Sequence, residues 1–221
     1  VVSADKIASA VGLSILKKGG NSVDAAVAVG FALAVTYPVA GNLGGGGYMV
    51  IHFPDGKSTT IDYREAAPFA SYRDMYLDSL GEFVPEKSQV GALSAGVPGS
   101  VAGLLYALQK YGKMKLSDVI QPAINLAADG FQLPVNTANS IKNNHSELSQ
   151  FPSTARVFYK ENQFYIAGEI FKQPDLAKTL ERIKQNGAAG FYEGETAEYI
   201  VAAMKDHGGI MTADDLRRYK P

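Results

Sequence analysis

Two groups of residues have types and spacing that chemistry could use. In the run Ala40-Gly41-Asn42-Leu43-Gly44-Gly45-Gly46-Gly47-Tyr48-Met49, five glycines fall between Gly41 and Gly47. They strip the backbone of side-chain bulk, allow positive φ and let a ligand or a second backbone approach closely. A short hairpin later comes Asp62-Tyr63-Arg64-Glu65-Ala66-Ala67-Pro68, in which an arginine closes the second strand. Its planar fork of donors fits a carboxylate or phosphate with two parallel hydrogen bonds. The pair suits a small anionic ligand held beside tightly packed backbone. Plainer readings stay open. The glycines also suit a loop where two backbones cross, and Arg64 also suits a surface ion pair with Glu65 or Asp62, which would be worth little.

Other chemistries find less support. A dinucleotide fingerprint follows a strand and opens a helix, whereas these glycines follow a helix and open a strand, and no Walker lysine comes after them. His52, His145 and His207 are scattered, none with the i+3 or i+4 partner of a helical metal site. No metal or cofactor is expected. Ser94-Ala95-Gly96-Val97-Pro98-Gly99-Ser100 lacks the G-x-S-x-G arrangement of a nucleophile elbow and reads as a loop leading into a helix. With no Cys in the chain, disulfides and thiolate chemistry are excluded. What remains is a binding element without a nucleophile: either a binding module, or a site whose catalytic group lies on another chain.

The elements that carry these residues can be read from periodicity and punctuation. Ser3 is expected to cap a helix from Ala4 to Lys18 that Gly19-Gly20 end, and Asn21 or Ser22 to start a second helix that Tyr37-Pro38 terminate. Tyr48 to Phe53 and Ser58 to Tyr63 have strand composition around the turn Pro54-Asp55-Gly56, giving a β-hairpin near 48–63. Helices are expected at Ser71–Ser79, at Gly99–Tyr111, where Val101, Leu104, Leu105 and Leu108 share a face, and at Leu116–Asp129 with a Ser117 cap. More follow at Pro134–Glu147, Pro174–Asn186, Glu195–Lys205 and Ala213–Tyr219, the last opened by a capping-box-like Thr212-x-x-Asp215. Val157 to Ile166 is a possible second hairpin. A helix pair, a hairpin and then many helices give an α+β fold, mostly helical.

Composition bounds the rest. The 221 residues are 46% hydrophobic and 19% charged, enough for a sizeable core in one domain spanning 1–221. The 21 basic and 22 acidic residues leave a net charge of -1 without a like-charged run, which argues against nucleic acid as a partner. The longest apolar run, Ala25 to Val35, has 11 residues, too short for a membrane span of roughly 18 or more. It reads instead as a helix buried on all sides.

These residues resemble the large subunit of the γ-glutamyltransferases, in the N-terminal nucleophile (Ntn) hydrolase superfamily. The matching motifs are Lys18-Gly19-Gly20-Asn21-Ser22-Val23-Asp24-Ala25-Ala26-Val27-Ala28, Pro38 through Gly47, Asp62-Tyr63-Arg64-Glu65 and Gly96-Val97-Pro98-Gly99-Ser100-Val101-Ala102-Gly103. Gln121-Pro122-Ala123, Gly190-Phe191-Tyr192-Glu193-Gly194 and Gly208-Gly209-Ile210-Met211-Thr212 extend the match along nearly the whole chain. The resemblance implies an αββα sandwich completed by a small subunit cut from the same precursor, so that the working unit is a heterodimer. It implies a small-subunit threonine that attacks the γ-glutamyl carbonyl of glutathione and related compounds. Water or an amino acid or peptide amine then takes the acyl group. On this chain it implies that Arg64 binds the substrate α-carboxylate, with Glu65 orienting the guanidinium. Because the chain starts at Val1, which has no hydroxyl, and stops at Pro221, it is expected to be the N-terminal part of the large subunit, without a catalytic residue of its own. A periplasmic or secreted location is implied by the family. The alternatives are a cephalosporin acylase or poly-γ-glutamate transferase relative, or a non-catalytic homologue that binds a carboxylate.

Overall fold

Asp5, rather than the expected Ser3, caps the first helix, Lys6–Lys17: its Oδ1 accepts from the backbone N–H groups of Ile7 and Ala8 at 2.9 and 3.0 Å. Ser3 donates instead to the Asp5 carbonyl at 2.7 Å. The carboxylate wins because the same oxygen also accepts the Thr36 hydroxyl at 3.0 Å, tying the start of this helix to the end of the next. The computed structural model describes residues 1–161 and 163–221. The chain divides into two units, Val1–Asn42 with Gly112–Glu181, and Leu43–Tyr111 with Arg182–Pro221.

In the first unit, the helix Ser22–Thr36 packs between Lys6–Lys17 and Leu116–Asp129. It is buried on nearly every side, with Val27, Ala28, Phe31, Ala32 and Val35 fully inaccessible, as its unbroken apolar run predicts. Gly12 lets the first two helices approach, since a Cβ there would lie 2.6 Å from the Val29 side chain. Asn21 and Asp24 form a capping box at the start of Ser22–Thr36. The Asp24 carboxylate, 0% exposed, accepts from Asn21 N at 2.7 Å and from the N–H groups of Lys113 and Met114 at 2.9 and 3.1 Å. Leu116–Asp129 is then capped by Lys115 without a side-chain bond, which puts the expected cap Ser117 inside the first turn. Phe131–Gln132 pairs antiparallel with Ile170–Phe171. The helix expected at Pro134–Glu147 is broken at Asn144 into Val135–Asn143 and His145–Leu148. Within the expected second hairpin, Tyr159–Lys160 pairs with Gln163–Phe164, and Asn162 lies outside the described residues. Pro174–Asn186 is helical, as its pattern predicts.

In the second unit, Tyr48–His52 and Ser58–Asp62 form the expected hairpin, in register Tyr48 opposite Asp62. Gly56 supplies φ 85 at its turn, and Ile51 and Ile61 face the core. Ser71–Ser79, expected as a helix, is a series of turns closed by a bridge between Leu77 and Phe83. The Asp78 carboxylate accepts from Leu80 N and Glu82 N at 2.8 and 2.9 Å, and such local side-chain bonds compete with helical ones. Those two N–H groups, Glu82 first, hold the Asp78 carboxyl below its usual range. The helices Ser100–Tyr111, Ala189–Tyr192, Gly194–Asp206 and Ala213–Arg218 complete the unit around buried Val101, Leu104, Phe191 and Leu216. Among the described residues no helix is long and apolar enough to cross a membrane.

Truncating Asp24 would leave three part-buried backbone donors without their acceptor and a cavity where the inaccessible carboxylate stood. Asp24→Ala should lower the unfolding free energy by about 3 kcal/mol or more, and Asp24→Asn, which keeps an acceptor oxygen, by less. Urea titrations of both variants check this; an unchanged midpoint for the alanine variant would refute it.

Candidate functional site

Tyr63 occupies a space that glycines vacate. Its backbone pairs with Gly47 through N–H to O at 2.9 Å and the reverse bond at 3.2 Å. The Gly45 carbonyl accepts from both Gly99 N and Ser100 N, at 2.8 and 2.9 Å, binding the glycine loop to the start of Ser100–Tyr111. A Cβ at Gly46 or Gly99 would collide with the Tyr63 carbonyl oxygen, and one at Gly103 with the Tyr63 ring. Gly47 would bring its Cβ to 3.1 Å from the same ring. The glycines therefore serve a crossing of backbones, the plainer of the two readings, and the crossing delivers Arg64 to the surface.

Arg64 leaves this crossing with its backbone held on both sides. Its N–H donates to Asp62 Oδ1 at 3.0 Å, and its carbonyl accepts the Tyr219 hydroxyl at 2.7 Å. Two residues on, Ala66 and Val97 form an antiparallel bridge with bonds of 3.2 and 2.8 Å. The Arg64 side chain is 56% exposed, and its Nε lies 3.3 Å from Glu65 Oε2. That oxygen is buried without a hydrogen bond: the charges are near enough to attract, but no N–H points along the line between them. Arg64 and Glu65 line an open depression of about 530 Å³ together with Gly44, Ser71, Met75, Tyr76 and Leu93 through Gly96. Its size is that of small-ligand sites.

A second support comes from Ala213–Arg218. The Thr212–Asp215 capping box is present, with Asp215 Oδ2 accepting from Thr212 N and Oγ1 at 2.7 and 2.6 Å. Asp215 Oδ1 also accepts from Phe69 N at 2.6 Å, across 146 residues of sequence. Burial works to raise this carboxyl's pKa, but the Thr212 hydroxyl and the Phe69 and Thr212 N–H groups prevail and hold it below the usual range. Arg218 sits over the Phe69 ring at 4.4 Å. Tyr219 stacks on Tyr192 at 5.9 Å with the rings 6° from parallel, and the Tyr192 hydroxyl donates to Pro98 O at 2.8 Å. Burial pushes the pKa of Tyr63, Tyr192 and Tyr219 up, with Asp62 and Glu65 adding to the rise at Tyr219. Of these three, the Tyr192 and Tyr219 hydroxyls donate, to Pro98 O and Arg64 O.

The structure places Arg64 and Glu65 side by side at the depression, as adjacent residues must be, and adds Tyr63, Asp215 and Tyr219 behind them. The capping-box spacing was a signal for Asp215. Tyr219 carries none that one sequence could reveal. The histidines are not brought together: His52 Nδ1 lies 2.9 Å from Ser58 Oγ on the exposed hairpin, and His145 packs edge-on to Tyr159 and Phe164. Among the described residues no three His, Cys, Asp or Glu side chains converge as metal ligands do. Ser94 Oγ donates to Gly91 O at 2.8 Å, and Ser100 opens its helix.

Residues 8–221 match the family model described as gamma-glutamyltranspeptidase. The chain is 48% identical over 221 residues to the glutathione hydrolase proenzyme of Escherichia coli (strain K12), covering 100% of this chain and 38% of that protein. The structure is similar to that of Helicobacter pylori gamma-glutamyltranspeptidase, with TM-score 0.97 and 46% identity over 99% of this chain and 63% of that one. It is also similar to cephalosporin acylase from Bacillus halodurans, with TM-score 0.86 and 26% identity over 97% and 41% of the two chains. The chain therefore spans well under half the length of the curated relative it matches.

Two outcomes test this supporting frame. Gly46→Ala has only backbone to displace, so it should cost about 1 to 3 kcal/mol, read as a lowered Tm. Asp215→Asn should cost about 0.5 to 2 kcal/mol at pH 7. Because the folded carboxyl is held below its unfolded value, that contribution is present above about pH 4 and fades as pH falls further. The Tm gap between parent and Asp215→Asn should accordingly narrow in acid; a gap that is constant from neutral to acid pH would contradict the assignment.

Proposed function

The chain belongs to the gamma-glutamyltranspeptidase family, and from that premise we propose that it is the N-terminal part of the large subunit of an enzyme that cleaves γ-glutamyl amides such as glutathione. The observation that carries the reading is Arg64, a half-exposed guanidinium on a rigid backbone crossing at the mouth of a ligand-sized depression. It binds the α-carboxylate of the γ-glutamyl group with two parallel hydrogen bonds. Glu65, 3.3 Å away, lowers the freedom of that guanidinium by its charge and helps aim it.

The reacting atoms belong to a partner subunit from the same precursor. Its N-terminal threonine hydroxyl adds to the γ-carbonyl carbon while its own α-amine accepts the proton. Backbone amides hold the oxyanion. Collapse expels the amine of the leaving peptide, which takes up that proton, and leaves a γ-glutamyl ester. Water then gives glutamate, or an amino acid or peptide amine gives a new γ-glutamyl amide. Holding the α-carboxylate at a fixed distance turns the attack into an effectively unimolecular step. Handling of γ-glutamyl compounds in the periplasm or outside the cell fits this reading. The 46–48% identity to glutathione hydrolase and gamma-glutamyltranspeptidase relatives, against 26% to the acylase, favours an amino-acid head over a plain acyl chain.

In the assembled enzyme Arg64→Ala should cost about 2 to 4 kcal/mol of binding or transition-state stabilisation, or about 30- to 900-fold in kcat/KM for a γ-glutamyl anilide. Arg64→Lys should also be impaired, because a point charge does not reproduce the fork. Wild-type kcat/KM in both variants would rule out the carboxylate clamp.

A further inference from the structure

Resting on the reading that Arg64 binds the substrate α-carboxylate, we propose that Tyr219 is a positioning residue for that arginine. Its hydroxyl, donated to the Arg64 carbonyl, sets the peptide plane from which the guanidinium reaches the ligand. Side-chain contacts aim Arg64 only loosely: it is 56% exposed, and its ion pair among the described residues, to Glu65, attracts it without a directed hydrogen bond. The backbone sets where that side chain starts and the direction in which it leaves Cα. That backbone is fixed before it by the Tyr63–Gly47 pair and after it by the Ala66–Val97 bridge. Between those points the Arg64–Glu65 peptide could still rotate, and the 2.7 Å bond from Tyr219 takes up its carbonyl.

Tyr219 is itself held where this bond requires. The parallel stack on Tyr192 orients the ring. Gly99 makes room for the hydroxyl, since a Cβ there would collide with it. Asp215, through Phe69 N, anchors the helix that precedes Tyr219 to the same stretch of chain that carries Arg64. The phenol is protonated at neutral pH as any tyrosine is, and burial, with Asp62 and Glu65 adding to it, pushes its pKa further up. A shift of the guanidinium by a fraction of an ångström is enough to spoil a two-point fit to a carboxylate.

Tyr219→Phe keeps the ring and its stack and removes only the donor. In the mature enzyme, with its partner subunit, kcat/KM for a γ-glutamyl anilide should fall about three- to tenfold, mainly through KM. The same substitution should have no further effect when Arg64 is already alanine, and none on an anilide that lacks the α-carboxylate, because a misaimed guanidinium then has nothing to miss. The slow combinations are followed at high enzyme concentration. A factor that persists in the Arg64→Ala background, or that strikes both anilides equally as a folding defect would, overturns the positioning role. So does an unchanged kcat/KM in Tyr219→Phe where Arg64→Ala alone is severe. If Arg64→Ala itself equals the parent, the carboxylate reading beneath the proposal fails instead.

Discussion

No side chain can stand at positions 46, 99 or 103 while Tyr63 keeps its place: two would overlap its carbonyl oxygen and the third its ring. This exclusion of Cβ atoms lets the end of the hairpin, the glycine loop and the start of Ser100–Tyr111 share one small volume. Gly45 completes the junction by accepting two N–H groups from that helix start. Because the contact is backbone against backbone, it has little freedom to relax, unlike a contact between flexible side chains. The orientation of Arg64, the next residue along, inherits that stiffness.

Buried aspartates extend the same principle through the fold. Asp5, Asp24 and Asp215 are each nearly inaccessible, and each accepts from a helix start and from a distant segment, across 31, 89 and 146 residues respectively. A carboxylate has lone pairs enough to cap a helix and still bind a second chain segment, which an alanine or a leucine in the same place has not. Burying the charge is tolerable because each of these carboxylates accepts from at least three donors. In the second unit, this lets a helix of six residues, Ala213–Arg218, brace the wall that carries Arg64.

The proposed function assigns this chain a binding group, Arg64, and leaves the nucleophile to a partner subunit. On the proposed reading the arginine sits on a backbone junction within this chain, and the reacting atoms would come from a small subunit. Backbone bonds at its N–H and carbonyl hold the root of the Arg64 side chain, while much of the side chain faces solvent.

Local signals were legible wherever the physics was local. The hairpin at Tyr48–His52 and Ser58–Asp62, the buried helix Ser22–Thr36, the Thr212–Asp215 capping box and the α+β class all follow from period, turn chemistry and capping spacing within a few residues. Arg64 and Glu65 could be singled out because they follow the glycine hairpin directly. Two of the misreadings share a cause. Ser3 and Ser71–Ser79 were each locally plausible, but Asp5 and Asp78 supplied acceptors to the backbone nearby, and Ser117 falls inside the first turn of a helix whose cap, Lys115, makes no side-chain bond. What a single sequence leaves undetermined is which reading of the glycines applies and what holds Arg64 from behind. Both depend on side-chain volumes and hydrogen bonds joining residues as far apart as Arg64 and Tyr219, 155 positions along the chain, and such pairings exist only once the chain has folded.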